Sequence, residues 1–164
     1  MEIYLMQHGE SYSKDNDPER SLTPQGEEQI NLSAKALKKM DVRCDLIISS
    51  PKKRARQTAE IIAMVLGYPQ DEIKVTETLD PTVPAKDVLS YLTSYSLKNR
   101  VFLAGHLPSL GEIASALVSD KSQVSVHFEM GGIVRIDVEE LHAHSGDIRW
   151  LLTPDQLKVI SQAP

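Results

Sequence analysis

Three short stretches of the chain hold residue types that can do chemistry together. They are Gln7-His8-Gly9 in "LMQHGES", Arg54 in "SSPKKRARQTA" and His106 in "AGHLPSLGE". A neutral imidazole is a competent nucleophile and proton carrier near pH 7, and a guanidinium grips an oxyanion through forked donors. Taken singly, each has an ordinary reading. A histidine beside a glycine is often only a loop residue, and the basic run Lys52–Arg56 resembles a solvated first helical turn. Two histidines and an arginine brought to one place, however, could bind an anion and attack it.

The elements around them predict that meeting. "IYLM", "DLIIS" and "RVFLAG" are short apolar runs of strand type, and each ends where one of the three stretches begins. "IKVTE", "GGIVRIDV" and "DIRWLL" read as further strands. Helices are expected from Pro24 to about Met40, with Thr23 as N-cap and Ile30, Ala34, Leu37 and Met40 as the buried stripe. Others are expected from Ser50-Pro51 to Leu66 with Gly67 as the stop, from Pro84 to Tyr95, from Pro108 through Leu117, and from Thr153-Pro154 onward. Strands separated by single helices imply a three-layer α/β/α sandwich with a mainly parallel sheet and one antiparallel edge strand. In a parallel sheet the carboxyl ends of the strands share one rim, where open α/β folds place their ligands. Two of the three stretches also open helices, whose free N–H groups favour an anion.

Composition narrows the classes. The 164 residues suit one domain, 1–164, with a sizeable core. A content of 41% hydrophobic and 25% charged residues is ordinary for a globule. A net charge of -5 argues against nucleic-acid binding. No apolar run approaches the roughly 20 residues of a membrane span, and the N-terminus has no basic start or cleavage region, so a cytoplasmic location is expected. The single cysteine, Cys44, precedes "DLIIS" and reads as a small core filler rather than a nucleophile. His127, His142 and His144 read as loop residues away from the three stretches, and no grouping has metal-ligand spacing, so neither a metal nor a cofactor is expected.

"QHGES", "SSPKKRARQTAEI" and "GHLPSLGEIASAL" resemble the three signatures of the histidine phosphatase superfamily, and "LTPQGEEQ" matches its loop-helix signal. The resemblance covers essentially the whole chain and is greatest to the small SixA-type phosphohistidine phosphatases. It implies the phosphoglycerate mutase-like fold, with His8 as the nucleophile that accepts the phosphoryl group. It further implies Arg54 as a phosphate clamp, His106 as a hydrogen-bond donor to the transferring group, and a main-chain contribution near Leu107.

Two departures matter. The arginine of the family's first motif is Gln7, which offers a neutral hydrogen bond in place of a charged fork. Larger relatives carry a glutamate as general acid where this chain reads "TETLDPTVP", leaving Asp80 as the candidate and Glu77 behind it. Only about twenty residues lie between Asp80 and Arg100, too few for the lid of the larger relatives. An open rim suits a phosphohistidine displayed on another protein, and the resemblance implies a phosphohistidine-bearing signalling protein as the partner. The alternatives are a small phosphorylated metabolite, hydrolysed by a broad phosphomonoesterase, or a phosphate- or phosphoprotein-binding module weakened in catalysis by Gln7.

Overall fold

Alternate side chains along β1 (Glu2–Gln7) are apolar on both faces, so this strand can only be stable with helices on either side of it. The computed structural model, which describes residues 1–119, 123–142 and 144–164, supplies them. Five further strands complete one sheet: β2 (Leu46–Ser49), β3 (Lys74–Val75), β4 (Arg100–Gly105), β5 (Ile133–Val138) and β6 (Gly146–Leu152). Their order is β3-β2-β4-β1-β5-β6. The first four strands in that order are parallel, and β5 runs against β1. The hairpin into β6 then places the reversed strand one position in from the edge.

On one face Tyr4, Met6, Ile47 and Phe102 pack against α1 (Pro24–Lys39), α2 (Lys53–Leu66) and α5 (Pro154–Gln162). On the other, Ile3, Leu5, Ile48 and Leu103 pack against α3 (Ala85–Thr93) and α4 (Ser109–Val118). This is the expected three-layer arrangement. Thr23 caps α1 through the Gly26 N–H, with Pro24 in the first turn, and Gly67 ends α2 in the left-handed region at φ 77°. Ile30, Ala34 and Leu37 are buried as the stripe predicts, while Met40, the C-cap, is only half-buried.

Two boundaries differ most from the sequence reading. α2 begins at Lys53 rather than at Ser50-Pro51, because Ser50 still follows the sheet, its N–H donating to Ala104 O at 3.0 Å. β3 shrinks to two residues, since Thr76 turns its side chain onto the Thr78 N–H and starts the 3-10 turn Glu77–Leu79. Among the described residues no helix is long and apolar enough to cross a membrane.

Candidate active site

Parallel pairing puts the carboxyl ends of β3, β2, β4 and β1 in one row. Asp80, Ser50, His106 and His8 stand along that row in sheet order. His8 continues the ladder, its N–H donating to Gly105 O at 3.1 Å. Arg54 enters from above, in the first turn of α2, a helix whose N-cap Lys52 makes no side-chain capping bond. His8, Arg54 and His106 are 7%, 9% and 2% exposed. Polar side chains of these types adopt such burial only when partners hold them.

The partners of His8 define its tautomer. Its Nδ1 lies 2.7 Å from Gly9 O, and a carbonyl only accepts, so Nδ1 carries the ring proton. Nε2 keeps its lone pair, and Arg54 Nε–H donates to it at 3.0 Å. Burial pushes the His8 pKa down to about 4; the Gly9 bond opposes this, while the charges of Arg54 and Arg20 add to it. His8 is thus a neutral imidazole at pH 7 with a fixed lone pair beside a guanidinium, the form a nucleophile toward phosphorus requires.

The His106 ring lies beside that of His8, with centroids 5.0 Å apart. Its Nε2 is 3.0 Å from Ser50 Oγ, and Ser50 Oγ is 3.1 Å from Asp80 Oδ1. A carboxylate oxygen accepts, so the one hydroxyl proton of Ser50 goes to Asp80, and Ser50 accepts from His106 Nε2–H. His106 Nδ1 is then a buried lone pair with no partner among the described residues. Burial, followed by the charges of His8, Arg54, Lys52 and Arg20, pushes the His106 pKa down to about 3. The second carboxylate oxygen of Asp80 takes Lys52 Nζ at 3.3 Å. Asp80 therefore reaches the histidines through Ser50, at one remove.

Gln7 closes the far side of the row. Its main chain is tied to the turn before β5, with Gly131 N–H donating to Gln7 O at 3.1 Å, while its side-chain Oε1 is buried and has no partner among the described residues. Leu107 follows His106 directly and packs its side chain into the α3/α4 core. Glu77 starts the 3-10 turn that leads to Asp80. Cys44 packs half-buried against the α1/α2 core, where burial and then Asp45 push its thiol up to about 12, too high for a nucleophile. His142 lies within 3.6 Å of the Glu140 carboxylate, and among the described residues no three His, Cys, Asp or Glu side chains group to hold a metal.

Sequence reasoning gave no role to the residues that lock this row. Thr58, the threonine of "RARQTA", donates to Arg54 O at 2.8 Å and accepts the Gly9 N–H at 3.2 Å, joining the His8 loop to the Arg54 turn. Gly26, of "LTPQGEEQ", lets α1 approach that loop: a Cβ there would stand 2.0 Å from Glu10 O. Ser50 reads from the sequence only as a helix start with Pro51. Its bonds depend on strand order, which no local pattern encodes.

Known proteins share the sequence pattern and the fold of this chain. The family model of the histidine phosphatase superfamily (branch 1) matches residues 3–80. An uncharacterized protein of Picosynechococcus sp. is 32% identical over 162 residues, covering 93% of this chain and 96% of that protein. Phosphohistidine phosphatase SixA of Escherichia coli is 27% identical over 166 residues, covering 97% and 98%. The solved structure of the protein histidine phosphatase SixA complexed with tungstate matches with a TM-score of 0.85 at 27% identity, over 96% of this chain and all of that one (100%). The fold is accordingly of the phosphoglycerate mutase-like kind.

Proposed function

The chain belongs to the histidine phosphatase superfamily and is a phosphatase hydrolase, and from that premise we propose that it removes phosphoryl groups from protein phosphohistidine by way of a phosphorylated His8. The observation that carries the chemistry is the His8 lone pair, fixed by Gly9 O and faced by Arg54. In the first step His8 Nε2 forms a bond to phosphorus as the N–P bond of the substrate breaks, and the leaving imidazole departs with its proton. Water then attacks phosphorus, inorganic phosphate leaves, and His8 returns to neutrality. Arg54 gives up its bond to Nε2 as phosphorus arrives and turns onto the equatorial oxygens, where fixed positive charge lowers the barrier.

His106 carries only one proton in its neutral form, and Ser50 holds it. A phosphoryl dianion beside the ring favours a second proton at Nδ1, which donates to a phosphoryl oxygen while Nε2–H stays on Ser50. Asp80 supports that imidazolium through Ser50, in the manner of an orienting carboxylate behind a catalytic histidine. A leaving imidazole makes little demand on a general acid, which fits the displacement of Asp80 from the reacting atoms.

The choice of substrate rests on two supports. SixA relatives carry the name of phosphohistidine phosphatases. The stretch between the 3-10 turn and β4 consists of α3 and its connections, and α3 buries Val88, Leu89 and Leu92 in the core rather than roofing the rim. An open rim accepts a phosphohistidine displayed on another protein. The test compares phosphate release from a phosphohistidine protein and from a panel of phosphomonoesters. Rapid quench should trap an acid-labile phosphoenzyme in the wild type and none in His8→Ala. Far higher kcat/KM on a phosphomonoester would sink the substrate assignment, and full turnover by His8→Ala would sink the mechanism. Stoichiometric binding of the phosphoprotein without phosphate release would instead support a binding module, the reading that the neutral Gln7 favours.

A further inference from the structure

Gln7 leaves the pocket one charge short of the motif it resembles, yet the charge of a second guanidinium, that of Arg20, reaches the pocket's histidines. Of the seven arginines in the chain, Arg43, Arg56, Arg100, Arg135 and Arg149 each pair with a carboxylate. Among the described residues Arg20 and Arg54 do not. Arg54 holds His8. Arg20 lies in the loop between β1 and α1, with its backbone in the left-handed region at φ 53°. A non-glycine residue there is strained, by about 1 kcal/mol or more, and persists only where its surroundings over-determine it.

They do so here. Asp17 O accepts the Arg20 N–H at 2.9 Å, and the Asp17 carboxylate accepts the N–H groups of Glu19 at 3.0 Å and Ser21 at 2.8 Å. Two clamps then fasten the loop to the start of α2, one on each side of Arg20. Glu19 takes Lys53 Nζ at 2.6 Å, and Leu22 N–H donates to Gln57 Oε1 at 2.8 Å. Residue 20 is thereby held over the turn that carries Arg54. Its guanidinium makes one long bond, Nε to Tyr12 O at 3.4 Å, which leaves its terminal nitrogens uncommitted among the described residues. Its charge is felt by His8, Arg54 and His106 alike.

We propose that Arg20 is the second phosphate-gripping arginine of this site, turning its terminal nitrogens onto a phosphoryl oxygen and supplying the charge that Gln7 does not. The strained loop and its clamps serve to present this side chain. The inference rests on the phosphoryl-transfer reading above, so its test separates anion binding from turnover. Binding of inorganic phosphate is measured by calorimetry, and kcat/KM on one phosphorylated substrate, for wild type, Arg20→Asn, Arg20→Lys and Arg56→Ala. Asparagine tolerates the left-handed backbone, so Arg20→Asn should fold with an unchanged melting temperature. It should weaken phosphate binding and kcat/KM about ten- to a hundredfold, the range for a lost charged hydrogen bond. Arg20→Lys should recover part of the loss, and Arg56→Ala, which removes an exposed charge from the same helix as Arg54, should change either value less than about threefold. Unchanged phosphate affinity in folded Arg20→Asn overturns the proposal, as does an equal loss in Arg56→Ala. A wild type that binds phosphate through Arg20 but releases none from any substrate leaves this proposal standing and removes the enzymatic reading.

Discussion

Removing one hydroxyl, in Ser50→Ala, tests the hydrogen-bond path across the strand ends. Ser50 Oγ sits between His106 Nε2 at 3.0 Å and Asp80 Oδ1 at 3.1 Å, beside a histidine only 2% exposed. The variant leaves a buried ring N–H without an acceptor, which costs on the order of 1–3 kcal/mol of stability. If His106 becomes an imidazolium against the phosphoryl group, the lost bond is charge-assisted in the transition state and worth about 1.5–3 kcal/mol. That corresponds to a fall in kcat of roughly ten- to 150-fold. A merely structural role predicts something else: a lower melting temperature with kcat unchanged in the protein that remains folded. The assay is kcat and KM at a temperature well below unfolding, for Ser50→Ala, Asp80→Asn and the double variant. Because the two residues act on His106 in series, the double variant should lose little more than Ser50→Ala alone. Full kcat in folded Ser50→Ala, or strictly additive losses, would refute the path.

The pKa values of His8, about 4, and His106, about 3, both lie below the ordinary 6.5, so the unfolded chain binds their protons first as pH falls. Their contribution to stability is full above pH 6.5 and is lost as pH drops toward 4 and 3, with a slope of at most about 1.4 kcal/mol per pH unit for each. Urea midpoints between pH 7.5 and 5 should show this, and His8→Gln with His106→Asn should flatten it. The nucleophile stays neutral over the same interval, so phosphoenzyme formation should hold down to about pH 5 and then decline as His8 protonates, as a quench at each pH would read. For Gly26→Ala, helix propensity alone predicts a gain of about 1 kcal/mol, but a Cβ 2.0 Å from Glu10 O forces the His8 loop and α1 apart. A net loss of about 2–3 kcal/mol and a drop in kcat are expected, and a more stable, fully active variant would contradict that packing.

What the amino-acid order determined by itself was local and periodic. The apolar runs of β1, β2 and β4, the Thr23-Pro24 and Thr153-Pro154 helix starts and the Gly67 stop follow from propensity, capping and burial, which act within a few residues. The alternation of strand and helix made a shared rim, and with it the meeting of His8, Arg54 and His106, deducible before any coordinates. Tertiary structure decided what depends on the order of strands and on the approach of one loop to another. Ser50 and Asp80 lie thirty residues apart in sequence, and they join His106 only because β2 sits between β3 and β4. The tautomer of His8 was likewise illegible, since it follows from a bond to Gly9 O that depends on how the loop turns. So were the Thr58 link, the contact at Gly26 and the clamps that hold Arg20 over α2, each formed by residues far apart in sequence. A hydrogen bond between distant residues leaves no period in the chain, and so only packing could reveal it.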